Sequence, residues 1–401
     1  MIESTTQPPV KKGFHIPSLD GIRAVSFMLV FVAHCGLEHI IPGGLGVTVF
    51  FFLSGYLITT LLRTEVTKTG GINLRDFYMR RILRILPPFY ITLLLAVLLH
   101  LVGVFPNTLE LKALAYQFLH IGNYWTVYHS LDGIPRGTNV LWSLAVEEHF
   151  YLIFPVLYIA MQSRLSVRRQ TAVLVMICMA MMAWRLVLIH YFKFGTTYGA
   201  NNRTFCASDT RGDSILWGCI MAIACNPMLD KPFATGKRLG VWLAIAASVM
   251  IFSLLYRNGE FRETYRYTLH GMAMIPIFTA LIVWHQSPVI SWLNWKPIRK
   301  LGVLSYSLYL VHYTIIYVVW ERLKLDFLGT GARRSIAQGL IAFALSLMVA
   351  QLYFQLIEKP FAKMRKKFSP GSSSGKSGGQ SGDKNESAKT DFVQPTRKMA
   401  I

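Results

Sequence analysis

Two carboxylates stand side by side in LWSLAVEEHFYLIFP (141–155), a run that is otherwise apolar and aromatic. Charge inside hydrocarbon is costly, so Glu147 and Glu148 are the first candidates for chemistry. Helical neighbours point about 100° apart, so one acid can look into a bundle while the other looks elsewhere. Tyr151 lies one turn beyond Glu147 on the same side. The inward acid could orient a histidine and raise its basicity. The bland alternative is a structural hydrogen-bond network or an acid at the membrane interface. A second pair fits the same chemistry. Arg23 and His34 are eleven residues apart in GIRAVSFMLVFVAH, which is three helical turns plus about 20°, so they share a face. A rise of roughly 16 Å carries His34 deep into a bilayer if Arg23 stands near one surface. An imidazole takes up a proton near neutral pH and suits general-base work. The alternative is a structural histidine bonded to a neighbouring helix, with Arg23 a topology charge.

In FYMRRILRILPP (77–88), Arg81 and Arg84 are three residues apart on one helical face, and Arg80 and Arg84 are four apart. Paired guanidiniums grip phosphate oxygens bidentately, although the positive-inside rule alone also places basic residues here. Pro87 and Pro88 predict an interrupted helix at the inner membrane edge. DTRGDSILWG (209–218) offers Asp213 to a hydroxylated acceptor, or else as a helix cap or the salt-bridge partner of Arg211. His312, alone in SYSLYLVHY, reads as a core histidine satisfied by its neighbours. The five cysteines, Cys35, Cys178, Cys206, Cys219 and Cys225, show no metal-ligand spacing. They read as small buried hydrophobes, with Cys206 in a connecting loop.

Such residues need a membrane domain to hold them. Of 401 residues, 53% are apolar and only 15% charged, where a soluble domain carries about a quarter charged. A span takes about 20 mostly apolar residues. Runs of that kind fall at 22–40, 44–62, 84–105, 140–160, 170–191, 239–256, 268–286, 301–320 and 336–357, with a weaker one at 213–227. The fold class is therefore an all-α membrane protein of about ten transmembrane helices. LKALAYQFLHIG (111–122) is too short to cross and suits the interface. With the N-terminus inside, inner segments hold 23 Lys and Arg against 12 in outer ones, which predicts both termini in the cytoplasm. The net charge of +21 sits in these clusters rather than in a separate basic module, which argues against nucleic acid. Residues 1–16 read as a cytoplasmic segment, 17–361 as the membrane domain, and 362–401 as a disordered cytoplasmic tail, Gly/Ser-rich from about 369. The first apolar run reads as an uncleaved helix.

Taken in order, these segments resemble the acyltransferase 3 family of membrane O-acyltransferases, which modify sugars, envelope polymers and some antibiotics. The likeness covers about 17–361. It opens with SLDGIRAVSFMLVFVAH and passes through GVTVFFFLSGYLI, the Arg-x-x-Arg form RILR, WSLAVEEHFY, DTRGDSILWG and SYSLYLVH to a closing IEKPF. The resemblance implies that His34 is the essential helix-1 histidine and Arg23 its partner. It implies that Arg81 and Arg84, with Arg80 beside them, serve acyl-coenzyme A, and that Glu147 is the acid of the Trp-Ser-Leu-x-x-Glu stretch. Glu148, Tyr151 and Asp213 are the residues expected at the acceptor. Some members carry a periplasmic hydrolase-like domain, and the stretches after the membrane part are too short for one, so the short form is expected.

The expected activity is that of an integral O-acetyltransferase of the cell membrane. It would carry an acyl group, acetyl by family frequency, from acyl-coenzyme A to a hydroxyl of a carbohydrate, lipid-linked glycan or macrolide. Acyl-coenzyme A enters as co-substrate, with no permanent cofactor and no metal. His34 would be the general base, Glu147 its orienting acid and Arg23 a group positioning the donor; a covalent acyl-histidine is the rival route. The competing class is a proton-coupled multi-pass transporter, for which buried His, Arg and Glu are also needed.

Overall fold

The computed structural model describes residues 16–106, 108–192, 203–323, 325 and 332–369. Every regular element among them is helical, with no strand. In lipid only a helix or a closed barrel satisfies its own backbone, and long apolar runs free of strand alternation choose the helix. In chain order come α1 (Pro17–Val32), α2 (Gly43–Thr69), α3 (Leu74–Leu101), and the short α4 (Leu111–Phe118) and α5 (Gly122–His129). Then follow α6 (Trp142–Arg164), α7 (Val167–His190), the single turn α8 (Arg203–Cys206), α9 (Ser208–Ala224) and α10 (Gly236–Leu255). The chain continues through α11 (Gly259–Glu263), α12 (Tyr265–Val283), α13 (Pro288–Ser291), α14 (Lys296–Val303), α15 (Ser305–Arg322), α16 (Ala332–Tyr353) and α17 (Lys359–Arg365).

Eight helical stretches among the described residues are long and apolar enough to cross a membrane, and a ninth follows if α14 and α15, bent by 73°, count as one. The chain is a multi-pass membrane protein. Each expected run falls on a helix, but the weakest, at 213–227, becomes α9, only 17 residues long. It survives because it faces almost no lipid. Eleven consecutive residues, Asp213 to Ile223, are buried, and α9 packs against α2, α7, α12 and α6. A Cβ on Gly55 would strike the carbonyl oxygen of Ile215, and one on Gly218 that of Phe52. Small residues thus let α2 and α9 approach backbone to backbone, as membrane helices do where no hydrophobic force drives them together.

Three expectations need correction. Pro87 and Pro88 do not interrupt α3, which runs through both. The prolines remove the helical donors to the carbonyls of Leu83 and Arg84, and beside them the Tyr306 hydroxyl donates to the Ile85 carbonyl at 2.9 Å and the Thr92 hydroxyl to that of Pro88 at 2.9 Å. Cys206 is not in an open loop but buried in α8. The tail begins later than residue 362, since helical turns continue to Phe368, whose carbonyl accepts from Arg80 at 2.6 Å. The remainder of that tail, from residue 370, and residues 1–15 lie outside the described residues.

Candidate active site

Five helices line one cavity of about 790 Å³, its open mouth included. On α6, Ser143, Glu147 and Tyr151 follow at four-residue intervals and so share a face. All three line the cavity, with Arg23 from α1, Ser54 from α2, Arg81 and Arg84 from α3, and Ser305, Tyr306 and Tyr309 from α15. The Tyr151 hydroxyl lies 2.9 Å from a Glu147 carboxylate oxygen and 3.1 Å from Ser54 Oγ. Arg23 Nε donates to Ser305 Oγ at 3.1 Å. The Ser143 and Tyr309 hydroxyls are 2.7 Å apart.

Arg81 lies 5.6 Å over the Tyr151 ring, and its Nε is buried without a hydrogen-bond partner. Among the described residues neither Arg81 nor Arg84 is in an ion pair. Three guanidiniums and one carboxylate therefore wall the cavity, leaving positive charge in excess. Such a wall recognises an anion, and the planar forks suit phosphate oxygens.

The remaining candidates go elsewhere. Arg80 turns away from the cavity into an ion pair with the buried carboxylate of Glu65 at 2.6 Å. Glu148 does not line the cavity, being about 100° from Glu147 around α6, and its Oε1 is buried without a partner. Asp213 is wholly buried, bound to Arg185 Nη2 at 2.9 Å and to the Thr268 hydroxyl at 2.8 Å. Its partner is thus not Arg211, which instead lies 4.0 Å over the Tyr267 ring. The other oxygen of Asp213, Oδ1, is buried without a partner.

His34 departs from the expected geometry. Just beyond α1 the chain widens into a π turn, Ala33–Leu37, and Gly36 at φ +93° turns it away. His34 sits in that turn, its ring stacked on Tyr313 at 4.2 Å and on His312 at 5.2 Å. Its Nδ1 is 2.9 Å from His312 Nε2. The ring bonded to His34 is thus a second histidine, whereas Glu147 is bonded to Tyr151. Tyr309 lines the cavity and also stands 5.6 Å from His312, so a single side chain separates the cavity from the histidine pair. Ser54, Ser143, Ser305, Tyr309 and His312 were not foreseen in these roles. One signal was available: Ser305, Tyr309 and His312 are spaced i, i+4, i+7, a single face of α15.

The chain matches an acyltransferase domain family, acyltransferase 3, over residues 16–354. It is 28% identical over 363 residues to the peptidoglycan O-acetyltransferase OatA of Listeria monocytogenes, covering 87% of this chain and 56% of that one. It is 29% identical over 362 residues to the O-acetyltransferase OatA of Staphylococcus aureus, covering 87% and 57%. A putative peptidoglycan O-acetyltransferase of Bacillus subtilis, YrhL, is 31% identical over 364 residues, covering 86% and 55%. The chain thus spans slightly more than half the length of these curated relatives. No solved structure matches it.

Proposed function

The chain belongs to the acyltransferase 3 family, and from that premise we propose that it is an O-acetyltransferase taking an acetyl group from acetyl-coenzyme A to a glycan hydroxyl. The observation that carries this reading is the cavity with surplus guanidinium charge. Coenzyme A is an anion with several phosphate charges on a long flexible arm, and Arg81, Arg84 and Arg23 offer it bidentate donors. The relatives' printed names support a peptidoglycan-type acceptor. A transporter needs the same buried charges but finds no support among those relatives.

In this reading the phosphates lie at the cavity's guanidiniums, the arm reaches past Tyr309 to bring the thioester to His34, and His34 acts as general base. His34 takes the proton of the acceptor hydroxyl. The oxygen attacks the thioester carbonyl carbon, the new C–O bond forms, and the C–S bond breaks. The departing thiolate recovers the proton from the imidazolium, so the products are an acetyl ester and free coenzyme A. General-base assistance of this kind contributes about 10²–10⁴-fold in rate. Glu147, held by Tyr151, whose hydroxyl also meets Ser54, keeps the arginine cluster from being wholly cationic and helps aim it. Arg23 on α1 and His34 in the π turn that follows it are eleven residues apart, roughly 16 Å in rise, so donor and acceptor enter from opposite ends of the bundle.

The test uses the full chain in nanodiscs with labelled acetyl-coenzyme A and soluble N-acetylglucosamine oligomers, reading free thiol and alkali-labile acetyl ester together. Both products should appear in equal amounts, and His34→Ala should lose them about 10²-fold or more. Arg81→Ala and Arg84→Ala should each weaken donor binding, with Lys a poor substitute because it lacks the fork. Normal transfer by His34→Ala, or donor binding indifferent to both arginines, would defeat the reading.

A further inference from the structure

His312 has no step in the chemistry above, yet it hydrogen-bonds the proposed base. Its ring is wholly buried among Phe27, Phe31 and Tyr309. Its Nδ1 lies 2.8 Å from the carbonyl oxygen of Tyr309 and 3.2 Å from that of Leu308. A carbonyl can only accept, so Nδ1 carries a proton. These ring contacts include no carboxylate, and a doubly protonated His312 would be a buried, unpaired cation. The neutral ring has one N–H, which leaves Nε2 with its lone pair.

That Nε2 faces Nδ1 of His34 at 2.9 Å. One of the two must donate, and His312 has no proton to give there. His34 therefore carries its proton on Nδ1. Its Nε2 is left bare.

We propose that His312 is a positioning residue: by accepting from Nδ1–H it fixes His34 in the tautomer whose basic nitrogen is Nε2, the atom that receives the acceptor's proton. When His34 becomes charged, the same contact turns into a charge-assisted hydrogen bond and steadies the imidazolium. The sequence pattern assigned this duty to Glu147; the geometry gives it to α15. Ser305 on the same face holds Arg23, so one helix orients groups at both ends of α1. The proposal rests on the reading of His34 as the base.

Histidine ¹⁵N NMR of the full chain in nanodiscs reads which ring nitrogen is protonated without any turnover, with His34 assigned by difference against His34→Gln. The native protein should show the Nδ1–H tautomer at His34, and His312→Phe should show a mixture or the Nε2–H form. In the transfer assay His312→Phe should lose roughly 10²-fold in kcat with KM for acetyl-coenzyme A unchanged. His312→Gln, whose amide oxygen can accept the same hydrogen bond, should recover most of that loss. An Nε2–H tautomer in the native protein overturns the proposal, as does equal slowing by Phe and Gln. The native measurement decides even where a variant does not fold. Should His34→Ala keep transfer, the base assignment falls while the tautomer result stands, so the two failures are separable.

Discussion

At the scale of single residues, burial and pairing separate the groups that act from those that hold the protein up. Arg185 and Asp213 are both fully buried and 2.9 Å apart, and Arg185 also donates to the carbonyls of Thr210 and Thr264. Removing one partner leaves the other charged and alone, at about 3–5 kcal/mol. Arg185→Ala and Asp213→Ala should therefore each lower the thermal unfolding midpoint sharply, and Arg185→Met with Asp213→Leu should recover part of it. A double variant no better than the singles would refute that account. The sequence exposed Arg23, Arg81, Arg84 and Glu147 because charges in apolar runs are conspicuous. It misplaced Asp213 and Arg80 because their partners, Arg185 and Glu65, lie 28 and 15 residues away. Pattern cannot show such a pairing. His312 reads from the sequence as a satisfied core histidine for a related reason, since a histidine in an apolar helix looks the same whether it faces a phenylalanine or another imidazole.

At the scale of helices, hydropathy located each long element, and its errors came from neighbours. The helix α3 runs on through two prolines where it packs beside Tyr306, and a shell of other helices shelters the short α9. The α2–α9 contact depends on two glycines whose absent Cβ atoms leave room for facing carbonyls. Gly55→Leu and Gly218→Val should each abolish a monodisperse peak in detergent chromatography. Gly240→Ala, where a Cβ would meet nothing within 4 Å, should leave it unchanged and gain slightly in helix propensity. Normal elution of both bulky variants would show the close approach to be dispensable.

At the scale of the whole molecule, we propose from the excess of basic residues on one set of connections, 23 against 12, that both termini lie in the cytoplasm. A fluorescent protein fused to the C-terminus should glow, and alkaline phosphatase fused there should be inactive; the reverse pair would invert the orientation. Composition supports a proposal for the orientation, whereas it says nothing of the cavity. It arises from residues of five helices spread from Arg23 to Tyr309, and periodicity marks faces without saying which faces meet. The unbalanced guanidiniums of that cavity carry one further consequence. Guanidiniums gathered on one wall repel one another, and any small anion relieves that repulsion. Inorganic phosphate, sulfate and free nucleotides would compete with the true occupant for the same berth, and the ionic make-up of the surrounding solution would set how often the chamber stands vacant.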